Sequence, residues 1–149
     1  MNRTGEDRHG QQVKAFSCHK IGKGKAEGEA LISNDDINFY LVEPKTGKVI
    51  ERNHDLKGKC VTGKVLIFPS GKGSSVVQAD GMYQLAMQDT QPSALVIQYP
   101  DTVLVASSII MEMPMVNRLA DEFYQFVEDG DYLELDADEG VIRVTKKEK

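Results

Sequence analysis

The stretch Lys64-Val65-Leu66-Ile67-Phe68-Pro69-Ser70-Gly71-Lys72-Gly73-Ser74-Ser75 decides the fold. Its first part is an unbroken apolar run, which marks a strand buried on both faces. A glycine-rich loop, Pro69 to Gly73, follows at once. Ser74-Ser75 then opens a helical pattern with Val77, Gly81 and Leu85 at i, i+4 and i+8, widened by Met82 and Ala86. Gly81 lowers helix stability by about 1 kcal/mol relative to Ala, so close packing is the expected reason for it.

The same grammar repeats downstream. Ala94-Leu95-Val96-Ile97 reads as a second buried strand, ended by Pro100-Asp101. Asp101 or Thr102 is placed to cap a second helix with Val103, Ala106 and Ile110 on one face, and Pro114 stops it. Met115-Val116 reads as a short strand, and the aromatic-rich segment 121–128 is ambiguous between helix and strand. Phe123, Tyr124 and Phe126 are expected to seal an edge of the core. Tyr132 to Leu135 and Val141 to Val144 flank an acidic turn, predicting a terminal hairpin.

Upstream, turn residues arrive every 8–12 positions or so, which favours short strands. Strands are expected over residues 13–21, 26–33, 37–42 and 48–51. The order is a β-layer, then β-loop-α-β-α, then a hairpin. It predicts an α/β fold of strand-rich layers with helices packed on one side.

The chain has 149 residues, 40% of them hydrophobic, and a formal charge of −5 from 18 Lys+Arg against 23 Asp+Glu. One domain suits that length. The acidic balance lacks the basic excess of a nucleic-acid binder. No apolar run approaches the roughly 18 residues that span a bilayer. Residues 1–12 are polar, lack the apolar centre of a signal peptide and are expected to be a disordered tail; residues 146–149 are expected to be a solvated end. Residues 13–145 form the expected domain. Cys18 and Cys60 make neither a disulfide framework nor a four-ligand metal site, so a cytoplasmic setting is expected.

Chemistry concentrates at the glycine-rich loop. Small side chains let a ligand approach the backbone, and the free N–H groups of a first helical turn attract a carboxylate, phosphate or oxyanion. Ser74 or Ser75 offers a hydroxyl there, and Lys72 a positive charge. Two named loops are excluded: Lys72 is followed by Gly73 rather than Ser or Thr, and position 76 is Val rather than Gly. By residue chemistry alone, an N-cap and a turn is the plainer account of Ser74. Both cysteines read as small buried hydrophobes, and His54 as a surface histidine. Asp35-Asp36 and the 136–139 acids read as turn residues.

Three blocks carry a family resemblance. They are Gly24-Lys25-Ala26-Glu27-Gly28-Glu29-Ala30-Leu31, Pro44-Lys45-Thr46-Gly47, and Gly63 to Ser75. Together with Pro92 to Ile97 and Ile109 to Leu119, they resemble the swivel domain of aconitase X. The likeness implies a swivelling β/β/α domain, supplied as a small subunit or fused to a larger catalytic part. It implies hydro-lyase activity on hydroxy acids, with mevalonate 5-phosphate and cis-3-hydroxy-L-proline as candidate substrates. The large part is expected to hold an iron–sulfur cluster whose Lewis acidity assists loss of hydroxide, with no cofactor bound by this chain alone. The swivel domain is expected to supply the serine that removes the substrate proton. Carried onto this chain, Ser74 becomes that base, with Gly71, Lys72, Gly73 and Ser75 binding substrate. Ordinary aconitases carry Arg directly after the serine pair, where this chain has Val76; Val77 to Asp80 and Ser107-Ser108 also depart from the pattern and are placed to line the cleft. A non-enzymatic module that binds a carboxylate or phosphate is the alternative.

Overall fold

A computed structural model describes residues 3–6 and 11–147 of the chain. Strand β5 (Val65–Phe68) and strand β6 (Ala94–Ile97) are buried at every position, as their unbroken apolar runs require. They lie parallel, with Val65 beside Ala94 and Phe68 beside Ile97. Strand β4 (Lys25–Ile32) joins β5 on one side and β7 (Met115–Asn117) joins β6 on the other, both parallel. Side chains alternate between two cores. Leu31, Leu66, Phe68, Leu95 and Ile97 face one; Ala30, Val65, Ile67, Ala94 and Val96 face the other.

The first core is closed by helices α1 (Ser75–Met87) and α2 (Thr102–Ile110), through Met82, Leu85 and Leu104. The second is closed by more sheet. Strands β8 (Tyr132–Asp136) and β9 (Val141–Thr145) form the expected hairpin, and they contribute Leu133, Leu135, Ile142 and Val144. Helix α3 (Asp121–Phe126) also lies on this side. Its Phe123 meets Phe16 edge-on with ring centres 5.4 Å apart. The ambiguous aromatic segment is therefore a short helix that seals the second core. The two longer helices share one side, in the β/β/α order expected.

Nine strands pair in the order β1-β2-β9-β8-β4-β5-β6-β7-β3 among the described residues. Strands β2 (Gln12–Ser17) and β3 (His19–Gly22) stand far apart in that order, yet only Cys18 separates them in the chain. The sheet must therefore curl round until its ends meet. The single strand expected over residues 13–21 is divided at this point: β2 pairs with β9, and β3 with β7. Strand β4 makes the opposite junction. Lys25 to Glu29 pair antiparallel with β8, and Ala30 to Ile32 parallel with β5.

Four other expectations are corrected. Residues 37–42 hold a one-turn 3-10 helix, Phe39–Leu41, capped by Asn38, rather than a strand. Phe39 lies under α1, where Gly81 leaves room for its carbonyl carbon. Residues 48–51 make only isolated bridges. On α2 the buried face is Leu104, Ser107 and Ser108, whereas Ile110 is 79% exposed. Within the expected tail, the backbone of β1 (Arg3–Glu6) pairs with β2, because ladder hydrogen bonds need no apolar side chain; residues 1–2 and 7–10 lie outside the described residues.

Of the expected solvated end, Lys146 is anchored, and residues 148–149 lie outside the described residues. The ammonium of Lys146 donates to the fully buried carboxylate of Asp131 at 2.6 Å and to the Phe126 carbonyl. Burial works against its charge, but the hydrogen bonds it donates to Asp131 and Glu128, and their charges, outweigh it, so Lys146 titrates above its ordinary value. Its stabilising effect is complete below the unfolded lysine value and is lost only as pH rises through the raised folded one. Asp131→Ala is expected to destabilise the fold by about 3 kcal/mol at pH 7, because it removes the buried partner of Lys146 and the acceptor of the Glu128 and Lys147 N–H groups, leaving Lys146 only the exposed Glu128 carboxylate as counter-charge. Denaturant unfolding measures this. Gly81→Ala should cost about 2 kcal/mol despite its better helix propensity, since the added Cβ would lie 2.4 Å from the backbone of both Phe39 and Tyr40.

Candidate anion site at the start of α1

The loop between β5 and α1 leaves the sheet at the C-terminal end of the parallel strands, where open α/β sheets present ligand sites. It is tied on both flanks. On one, Ile37 N–H donates to the Ser70 carbonyl at 2.9 Å and Lys72 N–H to the Ile37 carbonyl at 3.1 Å. On the other, Tyr99 N–H donates to the Pro69 carbonyl and the Ser70 hydroxyl to the Tyr99 carbonyl, both at 2.7 Å. These bonds make the loop a fixed cradle rather than a free tether.

Gly73 has φ +103°, a left-handed conformation that a side chain would strain, and an added Cβ would press on Asn38. Its turn delivers Ser74 as the N-cap of α1, in extended geometry, with Oγ accepting weakly from Val77 N–H at 3.4 Å. Ser75 is the first helical residue, and both serine side chains are exposed. No acidic residue stands in the first turn, so the positive end of the helix dipole is uncompensated within α1. The structure thus brings Gly71, Gly73, Ser74 and Ser75 to one rim.

Lys72 is directed elsewhere. Its ammonium pairs with the Glu51 carboxylate at 2.5 Å. The cation expected beside the serine is therefore already engaged, through a loop that sequence spacing gave no reason to place there. Gly71 has a packing role: an added Cβ would lie 2.4 Å from Gln78 Oε1 and 2.6 Å from Leu104. Gln78, four residues after the cap, is buried against the loop and donates from Nε2 to the Gly73 carbonyl at 2.9 Å. Residue type alone does not separate a buried glutamine from a solvated one, so Gln78 escaped the stripe Val77-Gly81-Leu85.

The remaining candidates fall outside the rim. Ser108 packs on Gly22 of β3 and bonds the Val105 carbonyl, so it secures α2 to the sheet rather than lining the cleft. Asp80 lies on the exposed side of α1. His54 is buried, not superficial: Nδ1 accepts from Leu56 N–H, which leaves Nε2 to donate to the Asp36 carbonyl at 2.9 Å. It braces the loop before β5. Two hollows elsewhere, one lined by Lys25, Glu27, Glu134 and Arg143, include no residue of the serine loop.

The cysteines do not suit an iron–sulfur cluster. Among the described residues no three His, Cys, Asp or Glu side chains are grouped to hold a metal. Burial, with a smaller contribution from the Asp136 charge, pushes the Cys18 thiol up to about 11, away from the thiolate a cluster requires. Cys60 donates to the Thr46 carbonyl at 3.3 Å.

Taken together, the fold and the rim define a class: an α/β domain that presents an exposed serine at a helix start. The family model described as aconitase X swivel domain matches residues 15–144. The chain belongs to that family. It is 41% identical over 133 residues to a phosphomevalonate dehydratase small subunit of Methanosarcina mazei, covering 89% of this chain and 92% of that one. The Methanosarcina acetivorans protein of the same name is 42% identical over 127 residues, with coverages of 85% and 88%. The crystal structure of Thermococcus kodakaraensis aconitase X in its holo-form superposes with a TM-score of 0.79 at 32% identity, covering 87% of this chain and 97% of that one.

The Cys18 environment gives a direct test. At pH 8 a thiol titrating near 11 is roughly one-thousandth thiolate, so Cys18 should resist iodoacetamide in the native chain. Denaturation should remove that protection. Cys18 is half-buried, and peptide mass spectrometry showing its rapid native labelling would contradict the raised thiol.

Proposed function

We propose that this chain is the small subunit of a phosphomevalonate dehydratase, in which Ser74 takes the substrate proton and a large subunit completes the site. The observation that carries the reading is the exposed Ser74 hydroxyl at an uncompensated helix start, on a chain with near-full-length similarity to small subunits of that name. Mevalonate 5-phosphate is the substrate this reading favours. The iron–sulfur cluster belongs to the large subunit, since the cysteines here are unsuited to ligate one.

Dehydration of a β-hydroxy acid takes a proton from the carbon beside the carboxylate and hydroxide from the next carbon, leaving an alkene and water. For the first half, the serine must carry negative charge on Oγ before it accepts the proton. The first-turn N–H groups of α1 and the helix dipole stabilise that charge, and a fixed donor of this kind is worth about 3–4 kcal/mol in a closed site. Lys72, paired with Glu51, fixes the loop flank rather than the alkoxide. Substrate then lies against the small rim formed by Gly71, Gly73 and Ser75.

The large subunit approaches this rim. Among the described residues, seven of the nine exposed large hydrophobics, Tyr99 and Tyr132 being the exceptions, belong to α1, α2 or the loops packed with them. Val76, next to the serine pair, is 76% exposed. No Lys or Arg occurs from position 73 to 117, so α1 and α2 carry an apolar, weakly acidic surface that suits an apolar partner with scattered cations, while the lysines and arginine of the adjoining loop stand at positions 45 to 59.

Ser74→Ala, assayed in the reconstituted two-subunit enzyme, should lower kcat by about a thousandfold while the subunits still co-elute. Turnover within tenfold of wild type would remove Ser74 from the mechanism. Val76→Asp should weaken subunit association at least tenfold, about 1.4 kcal/mol, as measured by titration of small into large subunit. Unchanged association would move the interface off the serine rim.

A further inference from the structure

The structure assigns Gln78 as the positioning residue that aims the serine, an assignment that rests on the proposed role of Ser74. Ser74 sits between two peptide groups, and Gln78 holds both. Its side-chain Nε2 donates to the Gly73 carbonyl at 2.9 Å, on the peptide before Ser74. Its backbone N–H donates to the Ser74 carbonyl at 3.0 Å, on the peptide after it. No other residue among the described hydrogen bonds contacts both planes.

The first bond has a directional consequence. The described peptides are all trans, and in a trans peptide C=O and N–H point in opposite directions. Turning the Gly73 carbonyl inward onto Gln78 therefore turns the Ser74 N–H outward, to the side where substrate arrives. The second bond starts the helix at the correct residue, so that Ser74 remains the cap and Oγ stays at the rim. Without the side-chain bond this peptide is free to flip through ψ of Gly73 and φ of Ser74, and Gly73, lacking a Cβ, opposes that rotation least.

The surroundings are built around this amide. Gln78 is 2% exposed, unusual for a glutamine with no charged partner. Gly71 makes the space for it: an added Cβ there would overlap Oε1 at 2.4 Å. Oε1 itself is buried without a hydrogen-bond partner among the described residues. An unpaired buried acceptor is costly, and leucine would fill the same volume without that cost. What leucine lacks is the donor to Gly73.

The test uses the reconstituted two-subunit enzyme with Gln78→Met, which keeps length and removes the donor, and Gln78→Glu, which donates only when protonated. Gln78→Met is expected to lower kcat at least tenfold, with KM for the hydroxy-acid substrate within threefold and subunit affinity unchanged. Gln78→Glu is expected to gain activity relative to wild type as pH falls, because protonation restores the donor; a purely structural role would give parallel profiles. If Gln78→Met does not assemble, the Gln78→Glu profile carries the test. A kcat within twofold of wild type in Gln78→Met, or parallel pH profiles, overturns the assignment. Full turnover in Ser74→Ala together with loss in Gln78→Met would sink the base and keep the clamp, which then acts through the Ser74 N–H.

Discussion

Everything in this fold depends on β5 and β6 being covered on both faces. A strand with apolar side chains up and down has no solvated side, so it requires two cores, one above and one below. The upper core uses α1 and α2. The lower core uses the hairpin β8–β9, β2 and α3. With both faces closed, the polar ends of the parallel strands are where the chain can present chemistry. The serine loop occupies one of those ends because β5 runs directly into it.

Covering the lower face with sheet instead of helix imposes a second requirement. The hairpin must remain hydrogen-bonded to the central strands while lying beneath them, so the sheet has to bend sharply. β4 meets this by changing partners halfway: its first five residues pair with β8 and its last three with β5. Gly28 sits near that change, and an added Cβ there would lie 2.3 Å from the Gly63 carbonyl. At the far side Cys18 performs the same service between β2 and β3, with its N–H bonded to the Gly140 carbonyl. A thiol in this corner is half-buried and held neutral, which is what a packing residue needs and a metal ligand does not.

The sequence was most legible where one rule acted alone. Continuous apolar runs identified β5 and β6, and the capping serine and aspartate identified the starts of α1 and α2. The terminal hairpin followed from its turn and flanking strands. Legibility failed where tertiary contacts overrode local pattern. Residues 37–42 alternate like a strand, but Phe39 must fit beneath Gly81, and the Asn38 cap favours a tight turn. On α2, hydrophobicity pointed to Val103, Ala106 and Ile110, yet small Ser107 and Ser108 face inward. A close approach to β3 at Gly22 admits serine and excludes isoleucine. The swap leaves Ile109 and Ile110 outside, so an apolar stripe on a helix need not be its buried one. At the site, Ser74 and the glycines could be read in the chain, but the contacts of Glu51 and of Gln78, expected only within a cleft-lining stretch and instead buried under the loop, could not. Their roles exist only once the loop 37–51 and the first turns of α1 are brought against the serine loop.

The geometry of the rim bears on the partner that the proposed function requires. Stabilising an anion at a helix start is effective in proportion to how little water competes for it. Here Ser74 and Ser75 are exposed, and the Lys72 ammonium of the same loop is paired with Glu51. In water, an alkoxide at this rim would be solvated and protonated by solvent rather than held by the N–H groups. The domain therefore supplies the part that requires rigidity: an oriented hydroxyl, tied through Ile37, Tyr99 and Gln78. The part that requires enclosure must come from the surface that closes over it. Under the proposed mechanism, a rigid base without walls would be inert, and so would a walled cavity without the base. Dividing them between two bodies makes assembly, or closure of one body on the other, the event that switches the chemistry on.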